Sequence, residues 1–295
     1  ADVPRSSITK GADQLGTLGG GNHFIEIQYI SEIMDREAAE FFGLRANQVL
    51  VMIHSGSRRF GYEIANHYMN VAAAECGTTG RKMLAYLDTE SSEGRKYISA
   101  MSAAANFAYL NRHIIALLAR RCFRRMFGKM EMPLIYDVTH NIARQERHKG
   151  QLLWVHRKGA TRAFGPDRMR GTLFESIGQP VITPGSMGTA SYLMTGTGNS
   201  AETLCSVNHG AGRVMSRTAA AGRRRRGRVT KEALITDGAF KRSMKGVKLI
   251  TANKSRIKEE APEAYKDIEE VIRVVNSCGW AIPAARMRPL AVLKG

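Results

Sequence analysis

The 295-residue sequence has only four cysteines, Cys76, Cys122, Cys205 and Cys278, and none forms a Cys-x-x-Cys pair. This excludes a zinc ribbon and suggests no disulfide framework, so a reduced, cytoplasmic setting is expected. No apolar run approaches the roughly 20 residues that cross a bilayer, and Ala1 to Lys10 lacks the apolar centre of a secretory signal. No membrane partner is expected. The sequence also has no internal repeat, no long linker and no Gly-Lys-Ser/Thr ending of a Walker A loop. Acids are scarce: 26 Asp and Glu stand against 44 Lys and Arg, a net charge of +18. So positive a field favours polyanions, because each phosphate neutralised releases counterions. A nucleic-acid partner is the functional reading of the charge, and high solubility is the plain one.

What is present is ordinary for a globular protein: 43% hydrophobic and 24% charged residues in a chain long enough to bury a substantial core. Val51 to His54, Leu134 to Thr139, Leu152 to His156, Ser191 to Thr195 and Val247 to Thr251 read as short strands, several ending at a histidine. Tyr97 to Phe127 reads as a long helix with arginines near its end, where cations suit the helix dipole. Ala264 to Asn276 reads as a second helix, opened by Pro262. Strands and helices mix without strict alternation, which predicts an α+β fold. Ala219 to Arg228, with arginines at 223 to 226, is either a solvated basic loop or an RNA-backbone contact.

Four of the eight histidines sit beside small-residue turns, where a backbone can approach a ligand closely. They are His23 in Gly19-Gly20-Gly21-Asn22-His23-Phe24, His54 in His54-Ser55-Gly56-Ser57-Arg58, His140 in Thr139-His140-Asn141, and His209 in His209-Gly210-Ala211-Gly212-Arg213. Imidazole binds transition metals and attacks phosphorus, while glycine turns with a nearby arginine suit phosphate. A histidine after a strand is also commonly a hydrogen-bonded structural residue, and the wide spacing leaves both readings open. His67 and His113 fall in predicted helices as packing or surface residues, and His148 is expected to be exposed in a charged turn. His156 either ends a strand or reaches phosphate through its neighbours. Pro184-Gly185-Ser186-Met187-Gly188-Thr189-Ala190-Ser191-Tyr192 is either a nucleotide cradle or a tight turn. The C-terminus, Arg288 to Gly295, is apolar enough to dock as a strand and so hold Lys294 in place.

Together these segments resemble the RtcB-type RNA ligases. The matching motifs are Gly-Gly-Gly-Asn-His-Phe-Ile-Glu at 19 to 26, His-Ser-Gly-Ser-Arg at 54 to 58, Thr-His-Asn-Ile-Ala at 139 to 143 and His-Arg-Lys-Gly-Ala-Thr-Arg at 156 to 162. The Pro184 to Tyr192 run, His-Gly-Ala-Gly-Arg at 209 to 213, Glu-Glu-Ala-Pro-Glu-Ala-Tyr-Lys-Asp at 259 to 267 and the terminal Leu-Lys-Gly complete them, in the family's order. The resemblance implies one catalytic domain over residues 1–295, α+β, with mixed sheets around a central active-site cleft. It implies an enzyme of tRNA splicing and RNA repair, joining RNA 3′-phosphate or 2′,3′-cyclic phosphate ends to 5′-hydroxyl ends. The implied cofactors are GTP and Mn2+, and the intermediate is a covalent histidine–GMP. By motif position, His209 is the nucleophile, and His23, His54 and His140 are the metal ligands. Asn22, Glu26, Asn141, Pro184, Gly185, Ser186, Met187, Ser191, Gly210, Ala211, Gly212, Tyr265 and Lys294 form the guanylate pocket. Arg58, Arg213 and Arg217 are suited to RNA phosphates.

One departure stands against the pattern. Family members carry an Asp-x-x-Cys pair ahead of the first glycine motif, and its cysteine bridges two manganese ions. This sequence contains no Asp-x-x-Cys and opens on Ala1 rather than Met. Three expectations follow: a fragment or half of a split ligase completed in trans, a short variant with an altered metal site, or a ligation-deficient relative that keeps RNA or guanylate binding.

Overall fold

The computed structural model describes residues 2–77, 85–225, 228–252 and 254–295. In chain order its elements are helix α1 (Arg5–Ala12), strand β1 (Phe24–Ile33), α2 (Arg36–Phe41), β2 (Val49–His54), α3 (Arg58–Glu75), α4 (Ser92–Phe127), β3 (Asn141–His148), β4 (Gln151–Lys158), β5 (Ala160–Arg162), β6 (Pro180–Thr183), β7 (Ser191–Gly196), β8 (Ser206–Asn208), α5 (Arg217–Ala221), β9 (Arg223–Arg225), β10 (Arg228–Lys231), α6 (Asp237–Ser243), β11 (Lys248–Thr251), α7 (Ile268–Ser277) and β12 (Ala281–Lys294). The mixture is α+β, as the sequence predicts. By contacts the chain divides into two compact units, Ala1–Gly19 with Ile53–Pro133, and Gly20–Met52 with Leu134–Gly295.

The first unit is helical. α4 begins five residues before the predicted Tyr97, because Ser91 caps it by accepting from the Gly94 amide, and it stops at Gly128 in a left-handed conformation. Its Ala100 packs with Ile64 and Tyr68 of α3, flanked by Phe60, Tyr97 and Ala104. His67 and His113 lie exposed on these helices.

The second unit is built on β12. One edge of this strand pairs antiparallel with β1 over Ala285 to Leu293. The other edge is shared end to end by β7, antiparallel, and β11, parallel. With β6 and β2 outside, this is a six-stranded mixed sheet. Pro283 and Pro289 sit beside register shifts, where a residue with no N–H leaves no gap in the ladder. On one side α7 lays Ile268, Ile272 and Val275 against Tyr192, Met194 and Ala281. That i, i+4, i+7 spacing forms one helical stripe.

Three expectations change. Leu134 to Thr139 takes no regular structure: it is pinned by side chains instead of a ladder, with Ile135 packed beside Leu193 and Met287 and the Tyr136 hydroxyl accepting from Gln179 at 2.7 Å. The predicted helix at Ala264 starts only at Ile268, where Asp267 caps it; Pro262–Ala264 is a separate short turn and Tyr265 is extended. His148 is buried rather than exposed, because its Nε2 meets Glu146 at 3.2 Å beneath the β3–β4 hairpin. In the basic stretch, β9 and β10 form a hairpin after Gly222, and the expectation for Arg226 and Gly227 lies outside the described residues.

Candidate active site

Within the second unit, four glycine-containing turns and the end of β12 collect most of the predicted site. Gly159 organises the histidines. Its amide lies 3.1 Å from the His140 carbonyl and 3.0 Å from the Asn141 side-chain oxygen, and its own carbonyl accepts from the His209 amide at 3.1 Å. With both backbones held on one residue, the His140 and His209 rings stack with centroids 3.6 Å apart, and a ring nitrogen of each lies within 4.8 Å of the other. Gly159 has φ +69, a left-handed geometry that favours glycine.

The turn after His209 touches the 184–191 loop: a Cβ on Gly210 would stand 3.4 Å from the Pro184 carbonyl. That loop is folded on its own hydroxyls. Thr189 Oγ1 accepts from the Ser186 amide at 2.7 Å, and Ser191 Oγ accepts from the Gly185 amide at 3.1 Å. A Cβ on Gly185 would lie 2.0 Å from the Ala190 carbonyl, so no larger residue fits the curl. The Met187 side chain is packed with Phe24, Met244 and Val292, and Ala211 is in the core as well. At these two positions the backbone is what remains for a ligand.

β1 brings in the acid. Its buried face runs Phe24, Glu26, Gln28, Ile30, and Glu26 is only 2% exposed. Burial pushes its carboxyl up to about 8, opposed by the hydrogen bond from Gln28 and by the charge of Lys294. Lys294, the last residue of β12, is docked as expected: its Nζ donates to the Gly21 carbonyl at 3.0 Å and lies 5.6 Å from the centre of the Phe24 ring. Burial lowers its ammonium to about 8, against the attraction of Glu260 and Glu26. The docked lysine thus pins the turn that carries Asn22, which is exposed, and His23, which is half-buried.

A third cluster surrounds Glu260, which is 5% exposed. It pairs with Arg217 at 2.9 Å and Arg213 at 3.5 Å and accepts from the Tyr265 hydroxyl. Arg213 also donates to the Tyr265 hydroxyl at 3.0 Å and to the Glu259 carbonyl, while an Arg217 guanidinium nitrogen lies 3.9 Å from where a Gly21 Cβ would be. Burial, and then Glu260, push the Tyr265 hydroxyl well above its ordinary value. The two arginines expected to face RNA phosphate are therefore engaged with Glu260, and Arg213 also with the Tyr265 hydroxyl.

The two remaining predicted residues, His54 and Arg58, belong to the first unit. His54 closes β2. Next to it, Ser55 is buried and donates to the Leu18 carbonyl at 2.8 Å. Asn111 of α4 donates to Ser55 Oγ and to the Gly56 and Thr17 carbonyls. Arg58 opens α3 at φ +54, and burial lowers its pKa. Sequence reasoning missed Gln28, Gly159, Glu260 and Asn111. Gly159 and Glu260 lie inside the quoted motifs, whereas Gln28 and Asn111 bond residues far away in the chain, which no local pattern marks.

Comparison with known proteins joins these segments. A protein family described as "tRNA-splicing ligase RtcB" matches residues 1–295. The chain is 45% identical to the tRNA-splicing ligase RtcB of Methanococcus maripaludis and 44% identical to that of Archaeoglobus fulgidus, covering 99% of this chain and 62% of each of those proteins. It is 43% identical to the Pyrococcus furiosus protein of the same name, again over 99% of its own length but 31% of that protein. The chain therefore spans only part of the length of the relatives it matches. The family match over residues 1–295 includes every turn described above, and the chain belongs to the RtcB family.

Proposed function

We propose that this chain carries the guanylate-transfer centre of an RNA ligase that joins RNA 3′-phosphate or 2′,3′-cyclic phosphate ends to 5′-hydroxyl ends. The observation that carries the reading is the stack of His140 and His209 over Gly159, beside a loop curled on its own hydroxyls. An imidazole held by its backbone presents a nitrogen in a fixed direction, which is what an attack on phosphorus needs. In this reading a His209 nitrogen bonds to the α-phosphorus of GTP as the bond to pyrophosphate breaks. The guanylate then passes to the RNA 3′-phosphate, and the 5′-hydroxyl displaces GMP to close the strand. Backbone amides of Met187 and of Gly210 to Gly212 cradle the phosphates, on a loop whose Gly185 and Ser186 amides are held by Ser191 and Thr189. Glu26 accepts from the guanine N–H edge, Tyr265 stacks on the base, and Asn22, Asn141, Ser186, Ser191 and Lys294 orient the nucleotide.

His23, His54 and His140 are the proposed ligands for Mn2+. A set of imidazoles suits a first-row divalent ion, and the close approach of ring nitrogens at His140 and His209 fits a centre where metal and nucleophile work on one phosphate. The ion would polarise the α-phosphate and offset charge building on it. RNA is the proposed substrate, and the net charge of +18 supports a polyanionic partner. Arg58, with Arg213 and Arg217, is the proposed phosphate contact.

The test is incubation with GTP labelled at the α-phosphate, with Mn2+, followed by a denaturing gel. Label should stay on the wild-type chain and be lost in His209→Ala. Equal labelling of the variant would refute the nucleophile.

A further inference from the structure

β1 turns an unusual face inward. Between Phe24 and Ile30, its buried positions are Glu26 and Gln28, and Gln28 is fully buried. An amide in such a place is costly unless its atoms are bonded, and a Met or Leu of similar size would pack there without that cost. Gln28 is nonetheless used heavily. Its Nε2 donates to Glu26 Oε2 and, over β12, to Ser191 Oγ at 3.0 Å. Ser191 Oγ in turn accepts from the Gly185 amide at 3.1 Å. One side chain thus ties the carboxyl proposed to read the base to the loop proposed to hold the phosphates. Its Oε1 is also buried and has no partner among the described residues.

We propose that Gln28 is a positioning residue that sets the Glu26 carboxyl for guanine and couples it to Ser191, with its amide alternating between two settings. This rests on the guanylate reading above. In the first setting Nε2 donates to both neighbours. Glu26 is then held as a carboxylate, its remaining lone pairs aimed at a donor edge. Guanine offers such an edge in N1–H and the N2 amino group, whereas adenine offers an acceptor at N1. Ser191 Oγ, accepting from Gln28 and from Gly185, keeps its own hydrogen for a ligand oxygen. In the second setting a half-turn of the amide puts Oε1 toward both neighbours. It accepts the proton of a neutral Glu26 carboxyl and the hydrogen of Ser191. Glu26 then no longer presents a carboxylate to the base, and the Ser191 hydroxyl is withdrawn.

Glutamine is the residue that can serve both settings at this reach: Asn is shorter, Met and Leu do neither, and a carboxylate only accepts. The nucleotide-free structure holds the first setting; burial, which favours the neutral Glu26 carboxyl, favours the second, and Lys294 is the charged group that favours the first. Guanine, which needs the carboxylate, favours the first setting and leaves the Ser191 hydrogen for a ligand oxygen.

The test is equilibrium displacement of a fluorescent GMP analogue by GMP or AMP, from pH 6 to 9. It uses the wild-type chain, Gln28→Met and Gln28→Glu, with thermal melting of each. Wild type should prefer GMP. Gln28→Met should lose about tenfold or more of the GMP-over-AMP ratio, the kind of discrimination a misaligned hydrogen-bonding site gives up. Gln28→Glu should keep the preference at low pH, where its own carboxyl can donate to Glu26, and lose it as pH rises and both ionise. A purely structural role would move the melting temperature and leave the ratio and its pH profile alone. If Gln28→Met does not fold, Gln28→Glu carries the test. Folded variants with the wild-type ratio at every pH would overturn the inference and leave the guanylate reading standing. A wild-type chain that does not distinguish GMP from AMP would overturn both.

Discussion

Replacing Glu26 by Gln should change how the stability of the nucleotide-free protein depends on pH, and the structure gives the size. The Glu26 carboxyl is raised by burial from 4.5 to about 8, and each pKa unit corresponds to ~1.4 kcal/mol. Between these values the folded chain keeps a proton that the unfolded chain has lost. Stability from this group is therefore full below pH 4.5 and falls by about 5 kcal/mol as pH rises through 8. Lys294 works the other way. Its ammonium is lowered by burial from 10.5 to about 8, so the unfolded chain binds the extra proton between pH 8 and 10.5, and stability recovers by about 3 kcal/mol over that range. The two limbs meet in a minimum near pH 8. Glu26→Gln keeps an acceptor for Gln28 and cannot ionise, which removes the first limb. The difference between variant and wild type should be within about 1 kcal/mol at pH 5 and should favour the variant by several kcal/mol at pH 8, about 5 being the ceiling. Urea unfolding of both proteins at pH 5, 6.5, 8 and 9.5, without nucleotide or metal, measures this. A difference that stays constant from pH 5 to 8 would refute the buried, protonated Glu26.

Three further outcomes are expected. Burial alone would raise the Glu146 carboxyl, but the bidentate Arg157 contact at 2.7 and 2.8 Å, with His148 and Arg162, holds it below its ordinary value. Glu146→Ala should cost about 3–5 kcal/mol by stranding the Arg157 guanidinium, read by urea unfolding at pH 7. Ile272→Ala, in the α7 stripe, should cost about 2–5 kcal/mol and leave GMP attachment per folded molecule unchanged. Glu260→Gln should free Arg217 and Arg213 from their ion pairs and raise the KM for GTP more than it lowers kcat in guanylylation, since Tyr265 loses its anchor.

The sequence reveals the site better than the fold. The motif histidines, the 184–192 loop and the terminal lysine are each flagged by local composition, because a backbone that approaches a ligand needs glycine and small residues nearby. The docking of Arg288 to Gly295 as a strand is legible in its apolar residues, and the structure extends that strand back to Ala281. β1 is not among the strands expected from the sequence. Its Ile25, Ile27 and Tyr29 alternate with Glu26 and Gln28, and Glu26 and Gln28 are the buried ones. Here a carboxyl and an amide bonded to each other in the core override the hydrophobic pattern. His148 misleads: the charged residues around it suggest solvent, but it shares a face of β3 with Glu146, and the hairpin register brings Arg157 to that face. Leu134 to Thr139 has the composition of a strand, and only the folded protein shows that its side chains dock with no ladder. The ion pairs that Arg213 and Arg217 make with Glu260 are not legible in the sequence, because Glu260 lies more than 40 residues away.

The central claim is that His209 takes the guanylate. It is tested most directly by locating the adduct. Wild-type chain incubated with GTP and Mn2+ should gain the mass of one GMP, and fragmentation of the peptide containing His209 to Arg213 should place it on the His209 imidazole. An adduct on Lys294 or another residue, or no adduct on a chain that binds both GTP and Mn2+, would contradict the account.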